Sequence, residues 1–178
     1  NNTISNNNAS SSIMYNGIWM VNSDNNIITG NNASNNNNSG ISIRNCSYIN
    51  ITGNTLSSNN HNGINMEDSN NNTISNNNAS SSIMYNGIGM QNCSHSVISN
   101  NRACNNNNHG IALRRCTYTT TTDNSLCSNN YEGIWVGDST NNHILGNTMI
   151  SNNNALCIDN SDNNIISNNN ASSSTMYN

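Results

Sequence analysis

Cysteine is the most reactive residue type in this 178-residue chain, and the spacing of the six cysteines suggests cross-links between neighbouring repeats. The interval from Cys93 to Cys116 is the same as the interval from Cys104 to Cys127, and it equals one repeat of the sequence. Repeats that stack as neighbouring strands lie about 4.8 Å apart, a separation that a disulfide can span. We therefore predict Cys93–Cys116 and Cys104–Cys127 as candidate disulfides, with small buried thiols as the alternative.

The two remaining cysteines have no cysteine at a neighbouring repeat position. Cys46 and Cys157 are therefore candidates for pairing with cysteines of other chains. The chain has no CxxC motif and no local cluster of cysteine with histidine, the usual pattern of a metal site. We predict no metal and no cofactor.

Acidic residues could act on a sugar if they formed a cluster together with basic residues. Asp68 and Asp138 share one repeat position but lie several repeats apart, and the chain has no lysine. The sequence thus predicts no catalytic residue and a protein that is not an enzyme. A polysaccharide lyase or glycoside hydrolase is kept as the lesser alternative.

These side chains must be positioned by a short internal repeat, which places an asparagine at the same point of every turn. An asparagine amide can accept a hydrogen bond from one turn and donate one to the next, so a stacked column satisfies itself inside a bend. The predicted structural ladder consists of Asn7, Asn31, Asn54, Asn77, Asn101, Asn124, Asn147 and Asn169.

Three short strands are predicted in each repeat. The alternation Ile-x-hydrophobic follows a glycine at a fixed phase, as in Ile18–Met20 and Ile111–Leu113, and a period of two indicates a strand. A repeat of about 22–24 residues with three strands fits one coil of a parallel β-helix. We predict an all-β solenoid of about eight coils in a single domain, 1–178. A longer unit of three coils occupies 1–70 and 71–140, and 141–178 is a partial copy.

The N-x-I-x-x-N…G-I-x-hydrophobic pattern resembles the NosD/CASH-type repeats of right-handed parallel β-helix proteins. The resemblance covers essentially the whole chain, and strings such as NNTISNNNASSS are most like the Asn-rich versions in archaeal, particularly methanogen, surface and sheath proteins. It implies a single-stranded right-handed β-helix. It also raises copper binding, but the four histidines fall at different phases of the repeat: His61, His95, His109 and His143.

Outward-facing aromatic residues suggest contact with another molecule. Trp19 and Trp135 alternate with inward positions, and Tyr48 and Tyr118 recur at the same place in the two copies of the longer unit. Such rings dock another subunit or stack on sugars. We predict these four as contact aromatics, with subunit contact preferred and isolated surface rings left open.

The partner we predict is the chain itself, in a head-to-tail or lateral homo-oligomer, because the repeat pattern shows no cap over its strand edges. Envelope glycans are a further predicted partner. A net charge of −4 without a basic stripe disfavours nucleic acid, and no apolar run is long enough to cross a membrane.

The function predicted from the sequence is therefore structural. We expect an extracellular or cell-surface solenoid that self-assembles into a sheath, S-layer or filament reinforced by disulfides. The alternative is a carbohydrate-binding or polysaccharide-cleaving β-helix protein.

Overall fold

A computed structural model describes residues 1–173, which form an all-β parallel solenoid of about seven turns. The predicted fold class is confirmed, and the predicted count of about eight coils is slightly high. Residues 174–178, the end of the partial unit 141–178, lie outside the described residues. Among residues 1–173 there is no helix with the length and apolar character needed to cross a membrane.

Two parallel sheets run the length of the solenoid. The eight-stranded sheet contains β1 (Thr3–Ser5), β3 (Ile27–Thr29), β5 (Asn50–Thr52), β7 (Thr73–Ser75), β9 (Val97–Ser99), β11 (Thr120–Thr122), β14 (His143–Leu145) and β17 (Ile165–Ser167). The seven-stranded sheet contains β2 (Ile18–Val21), β4 (Ile41–Arg44), β6 (Ile64–Glu67), β8 (Ile88–Gln91), β10 (Ile111–Arg114), β13 (Glu132–Gly137) and β16 (Asn154–Asp159).

The third predicted strand is formed only near the carboxyl-terminal end of the described chain. There, β12 (Ser125–Cys127), β15 (Thr148–Ile150) and β18 (Asn170–Ser172) make a three-stranded sheet. In earlier turns the same arc makes isolated bridges, such as Asn32 with Thr55 and Asn78 with Arg102. Three strands in every coil is therefore wrong: most coils have two strands and one bridging residue.

The core is a set of aligned apolar rows, because parallel strands in register place equivalent residues directly above one another. Ile41, Ile64 and Ile88 are paired in sequence along the seven-stranded sheet, and all three are fully buried. Ile28, Ile51 and Ile74 form the facing row in the eight-stranded sheet. A few branched side chains per turn thus suffice to fill a narrow interior.

The asparagine column forms a continuous hydrogen-bonded ladder inside one bend. Asn77 Nδ2 donates to Asn101 Oδ1 at 3.0 Å, and the backbone N–H of Asn77 donates to the same oxygen at 2.9 Å. Asn77 Nδ2 also donates to the carbonyl of Ile51 in the preceding turn at 2.9 Å. Each amide therefore links three turns where the backbone has left the sheets.

A second asparagine ladder, which our sequence interpretation missed, follows five residues after the first. Asn106 Nδ2 donates to Asn129 Oδ1 at 2.9 Å, and Asn129 Nδ2 donates to Asn152 Oδ1 at 2.9 Å. Serine takes the place at Ser12 and Ser82, whose backbone N–H groups donate to the next asparagine. The available signal was that Asn106, Asn129 and Asn152 recur at the same interval as the first ladder.

Asparagine is also favoured at the corners by backbone conformation. Asn6, Asn76 and Asn100 have φ values of 55°, 56° and 56°, in the left-handed region. Asparagine tolerates this region better than other side chains because its short amide hydrogen-bonds locally. The low hydrophobicity of the chain is thus a property of its bends and does not indicate disorder.

Removing one ladder amide should cost the fold about 3 kcal/mol, because buried donors lose their acceptor. In Asn101→Ala, the backbone N–H and Nδ2 of Asn77 would both lose Oδ1. Urea unfolding followed by circular dichroism measures the change. Asn130→Ala, which removes an exposed side-chain contact to Asn107, is the control and should change stability by less than about 0.5 kcal/mol. Equal midpoints for the two variants would contradict the role of the ladder.

The cysteines differ in state although two pairs share the same spacing. Cys104 and Cys127 form a disulfide with a Cα–Cα distance of 4.5 Å. Cys93 and Cys116 are free, buried thiols, and the hydrogen bond with Cys116, together with burial, raises the pKa of Cys93. Cys46 is only 1% exposed, so its sulfur is not accessible to another chain, whereas Cys157 is half-buried.

Candidate functional site

The outer face of the seven-stranded sheet carries a shallow groove whose floor is one row of side chains. The row runs in register through Trp19, Ser42, Asn65, Gly89, Ala112, Trp135 and Cys157. Small side chains occupy its centre, and Gly89 and Ala112 lower the floor most. A cavity of about 470 Å³ lies over this part of the groove.

One wall of the groove is formed in each turn by the residue two positions before the first inward apolar residue of the seven-stranded sheet, and three of these residues form a chain of hydrogen bonds. His109 Nδ1 lies 2.6 Å from Glu132 Oε2, and Asn154 Nδ2 donates to Glu132 Oε1 at 2.9 Å. The side chains of His109 and Glu132 are only 14% and 11% exposed. Successive turns thus stack an imidazole, a carboxylate and an amide into one rigid unit.

The protonation of His109 follows from this geometry. A carboxylate can only accept, so the short contact places the proton on Nδ1; the backbone N–H of Glu132 approaches the same nitrogen only to 3.4 Å. Burial lowers the pKa of His109 from its ordinary value of 6.5, against the opposing effect of Glu132. At neutral pH the imidazole is therefore uncharged, with its Nε2 lone pair available to take a proton.

Trp135 fixes the imidazole from the floor of the groove. Its ring stacks on that of His109 at a centroid distance of 5.7 Å and an interplanar angle of 12°. Tyr131 meets the same imidazole edge-on at 5.9 Å. A Cβ atom added to Gly137 would overlap the Trp135 ring, so glycine at this position leaves room for the indole. The ring of His109 is held on two sides by aromatic contacts and at Nδ1 by Glu132.

Charged side chains complete the cavity on the opposite side. Arg114, Glu67, Asp138 and Asp159 line it. Arg114 is exposed at the end of β10, two residues beyond Ala112. Asp138 accepts a hydrogen bond from Asn160 Nδ2 at 2.7 Å. The cavity therefore presents a neutral imidazole on one wall and one arginine cation among three carboxylates on the other.

The structure separates the sequence-predicted contact residues into three places. Trp135 lies in the cavity, and Cys157 is its register neighbour in β16. Trp19 lies on the same floor row five strands away and is 69% exposed. Tyr48 and Tyr118 are exposed on the bend that follows the seven-stranded sheet, outside the groove. Burial raises the pKa of the Cys157 thiol.

Sequence reasoning missed His109, Glu132 and Asn154 because it compared histidines with histidines and acids with acids. The available signal was position: His109 and Glu132 each immediately precede a bend glycine, Gly110 and Gly133, and so occupy the same phase of consecutive turns. Residues at one phase of a solenoid stack whatever their type. A column of unlike residues therefore assembled the cluster that we had concluded was absent.

Solved structures similar to this chain are β-helix proteins that act on polysaccharides. The periplasmic alginate epimerase AlgG superposes with a TM-score of 0.72 at 20% identity, covering 81% of this chain and 43% of that one. A mannuronan C-5 epimerase module of Azotobacter vinelandii gives 0.69 at 14% identity, covering 95% and 58%. A pectate lyase gives 0.60 at 14% identity, covering 79% and 46%. The chain thus spans less than two thirds of each, and a likeness at such low identity shows the fold alone.

These findings correct the functional prediction. The interpretation as a structural sheath protein, and as a protein that is not an enzyme, is wrong, because the similar structures are polysaccharide epimerases and a lyase. The alternative interpretation, a polysaccharide-acting β-helix, is the better supported one.

Family models also match the chain. A model described as right-handed beta helix region matches residues 1–83, and one described as periplasmic copper-binding protein (NosD) matches residues 57–177. No curated protein sequence matches the chain. The right-handed β-helix part of the predicted resemblance is confirmed, and the likeness to archaeal sheath proteins stays a prediction. Because the second model covers more than half of the sequence, the chain belongs to the NosD family of right-handed β-helix proteins.

Proposed function

We propose that this protein modifies an acidic polysaccharide bound in the groove of the seven-stranded sheet, with His109 as the general base. The observation that carries the proposal is the neutral imidazole of His109, fixed by Glu132 at 2.6 Å and by Trp135, inside a cavity that Arg114 also lines. A base with a pKa below neutrality and a nearby cation are the two groups that proton abstraction next to a carboxylate requires.

The chemistry is abstraction of the C5 proton of a uronic acid. His109 Nε2 takes the proton, and the C–H electron pair moves into the adjacent carboxylate, which becomes an enediolate with two negative oxygens. Arg114 stabilises that added charge. For epimerisation, a water on the opposite face gives a proton to C5, and the proton released by His109 neutralises the hydroxide that remains. For cleavage, the electron pair forms a C4–C5 double bond, the C4–O4 bond breaks, and the departing O4 takes the proton from His109.

Similarity to known enzymes supports this class of substrate. The alginate epimerase, the mannuronan C-5 epimerase and the pectate lyase that share the fold act on polymers of uronic acids, as their names state for alginate, mannuronan and pectate. Trp135 supplies a flat aromatic surface in the cavity beside His109, and such rings stack on sugars.

The duplication of the three-coil unit provides an internal comparison. The positions equivalent to His109, Glu132 and Trp135 in the first unit are Ser39, Asn62 and Asn65, which cannot supply a base. The three-coil scaffold thus occurs twice in the chain, whereas the proposed catalytic cluster occurs only in the second unit. A site confined to one unit is consistent with catalysis at a single position on a repeated binding surface.

The family description names copper, which imidazole and sulfur ligands bind well. Within residues 1–173, no group of three or more His, Cys, Asp or Glu side chains is arranged to hold a metal ion. His61 stacks on Tyr85 and His95 on Tyr118, and neither is grouped with His109 in a set of ligands. The residues present do not fit a copper centre, and no step of the proposed reaction passes through a metal.

Polysaccharides of this kind lie outside the cytoplasm, so we propose that the protein is exported to the envelope or beyond. The family description and the alginate epimerase are both periplasmic by name. Self-association and binding of envelope glycans, predicted from the sequence, remain predictions.

The direct test is hydrogen exchange at C5. We expect the protein, incubated in D₂O with polymannuronate or polygalacturonate, to remove the hydrogen at C5, as measured by NMR. Epimerisation replaces that hydrogen with deuterium, whereas chain cleavage leaves a C4–C5 double bond with no hydrogen at C5. Loss of the C5 proton signal therefore detects either outcome. A neutral glucan serves as the substrate control, because it has no carboxylate to accept the electron pair. Retention of the C5 hydrogen in every uronate polymer would overturn the proposal.

A further inference from the structure

The groove continues well beyond the cavity at His109, toward the amino-terminal end of the solenoid. Trp19 and Trp135 lie on the same floor row, five strands apart, which corresponds to about 24 Å at the usual strand spacing. Between them the row holds only Ser42, Asn65, Gly89 and Ala112. Two indoles therefore bracket a floor of small side chains.

Further cavities occupy the stretch between the two tryptophans. One of about 370 Å³ lies over Ser42 and Asn65 and shares Asn62, Asn65, Glu67 and Tyr85 with the cavity at His109. Another of about 370 Å³ is lined by Trp19, Arg44 and Asp68. Because Arg44 lies 3.9 Å from both Glu67 and Asp68, the last cavity adjoins the others. Together they form one cleft along the solenoid axis.

The side chains of this cleft suit a sugar chain. Trp19 is 69% exposed, an unusual state for so large an apolar ring without a ligand. Arg44 occupies the position of the first unit that corresponds to Arg114 in the second, so each tryptophan has an arginine close to it. An indole that stacks on a ring and an arginine that meets a carboxylate would bind the same kind of sugar at both ends.

We infer that Trp19 and Arg44 form an outer subsite for a linear acidic polysaccharide whose reacting sugar lies at His109. This inference rests on the proposed function and adds to it that the substrate is a long chain bound along the axis. The protein then acts within polymers, because a chain end would leave the Trp19 subsite empty.

The test is binding as a function of chain length. Uronate oligosaccharides from the disaccharide to the octasaccharide are titrated by calorimetry into the wild-type protein and into Trp19→Ala. We expect Trp19→Ala to bind the octasaccharide about tenfold more weakly, as for the loss of one aromatic contact, and to bind the disaccharide unchanged. Tyr48→Ala removes an exposed ring outside the groove and should bind every length as wild type does.

The outcomes separate this inference from the proposed function. If Trp19→Ala binds the octasaccharide as tightly as wild type, or loses affinity equally at all lengths, the outer subsite is refuted, while C5 exchange by the wild type still supports the chemistry. If His109→Gln retains full exchange, the chemistry is refuted, while the length-dependent loss in Trp19→Ala still supports the subsite. Trp19→Tyr should restore most of the affinity, because it keeps a stacking ring.

Discussion

His109→Gln should lower C5 exchange by about a hundredfold to ten-thousandfold, the range expected for loss of a positioned general base. Glutamine keeps a comparable length and can still face Glu132, but it cannot accept a proton from carbon. The rate at which polymannuronate or polygalacturonate loses its C5 hydrogen in D₂O measures the change. Binding of the octasaccharide should change by less than about tenfold, because the sugar contacts of Trp135 and Arg114 remain.

The matched control is His143→Gln, since His143 is an exposed histidine in β14, outside the groove. It should exchange as fast as wild type.

Burial lowers the pKa of His109 from 6.5, so wild-type activity should be constant near neutrality and fall only below that value, where the base becomes protonated. In Glu132→Gln the pKa of His109 falls further because the attractive carboxylate is gone, and the acid limb should move to lower pH. An unchanged rate in His109→Gln would contradict the assignment of the base.

Gly89→Trp should block the cleft and weaken binding of the octasaccharide by about a hundredfold, equivalent to about 2.7 kcal/mol. The scaffold already accepts tryptophan at the equivalent position of the first unit, where Trp19 follows the same Tyr-Asn-Gly-Ile sequence. A Cβ atom at Gly89 would lie 3.2 Å from Asn62 Nδ2 and 3.3 Å from Asn86 Nδ2, side-chain atoms that need to move only a few tenths of an ångström. The indole would then fill the groove between Asn65 and Ala112.

Calorimetry with the octasaccharide measures the block, and circular dichroism checks the fold. Thr73→Trp is the control: Thr73 is an exposed position of β7 in the eight-stranded sheet, in the same turn as Gly89. It adds the same side chain to the other sheet and should leave binding unchanged. A Gly89→Trp protein that folds and binds as tightly as wild type would show that the sugar lies elsewhere.

The fold was predictable because its main structural features recur at the same position of every turn. The column from Asn7 to Asn169 is made of one residue type, and an amide both donates and accepts, so a list of positions was enough to infer the ladder. The third strand was not predictable in the same way. The residues around Asn32 and Thr55 alternate as they do around Ser125 and Thr148, but only the latter pairing extends beyond a single bridge.

The candidate site was harder to predict because its members differ in type and occur only once. His109 is one of four histidines and Glu132 follows an ordinary Asn-rich turn, so neither stands out in composition. Their register appears only when the position before each bend glycine is compared between turns. The pKa of His109 was also beyond sequence reasoning, since it depends on burial and on a 2.6 Å contact with Glu132.

Because the stacked turns are nearly constant in length, positions along the cleft are separated by whole multiples of one strand spacing. The reactive cluster comes entirely from the turns that carry His109, Glu132 and Asn154, whereas the distance to Trp19 is set by how many turns lie between. Gain or loss of one whole turn would change that distance in steps of about 4.8 Å and leave the cluster intact. Gene duplication has already copied three turns of this chain. Under the proposed function, a further gain or loss of turns would change the preferred polymer length without altering the reaction.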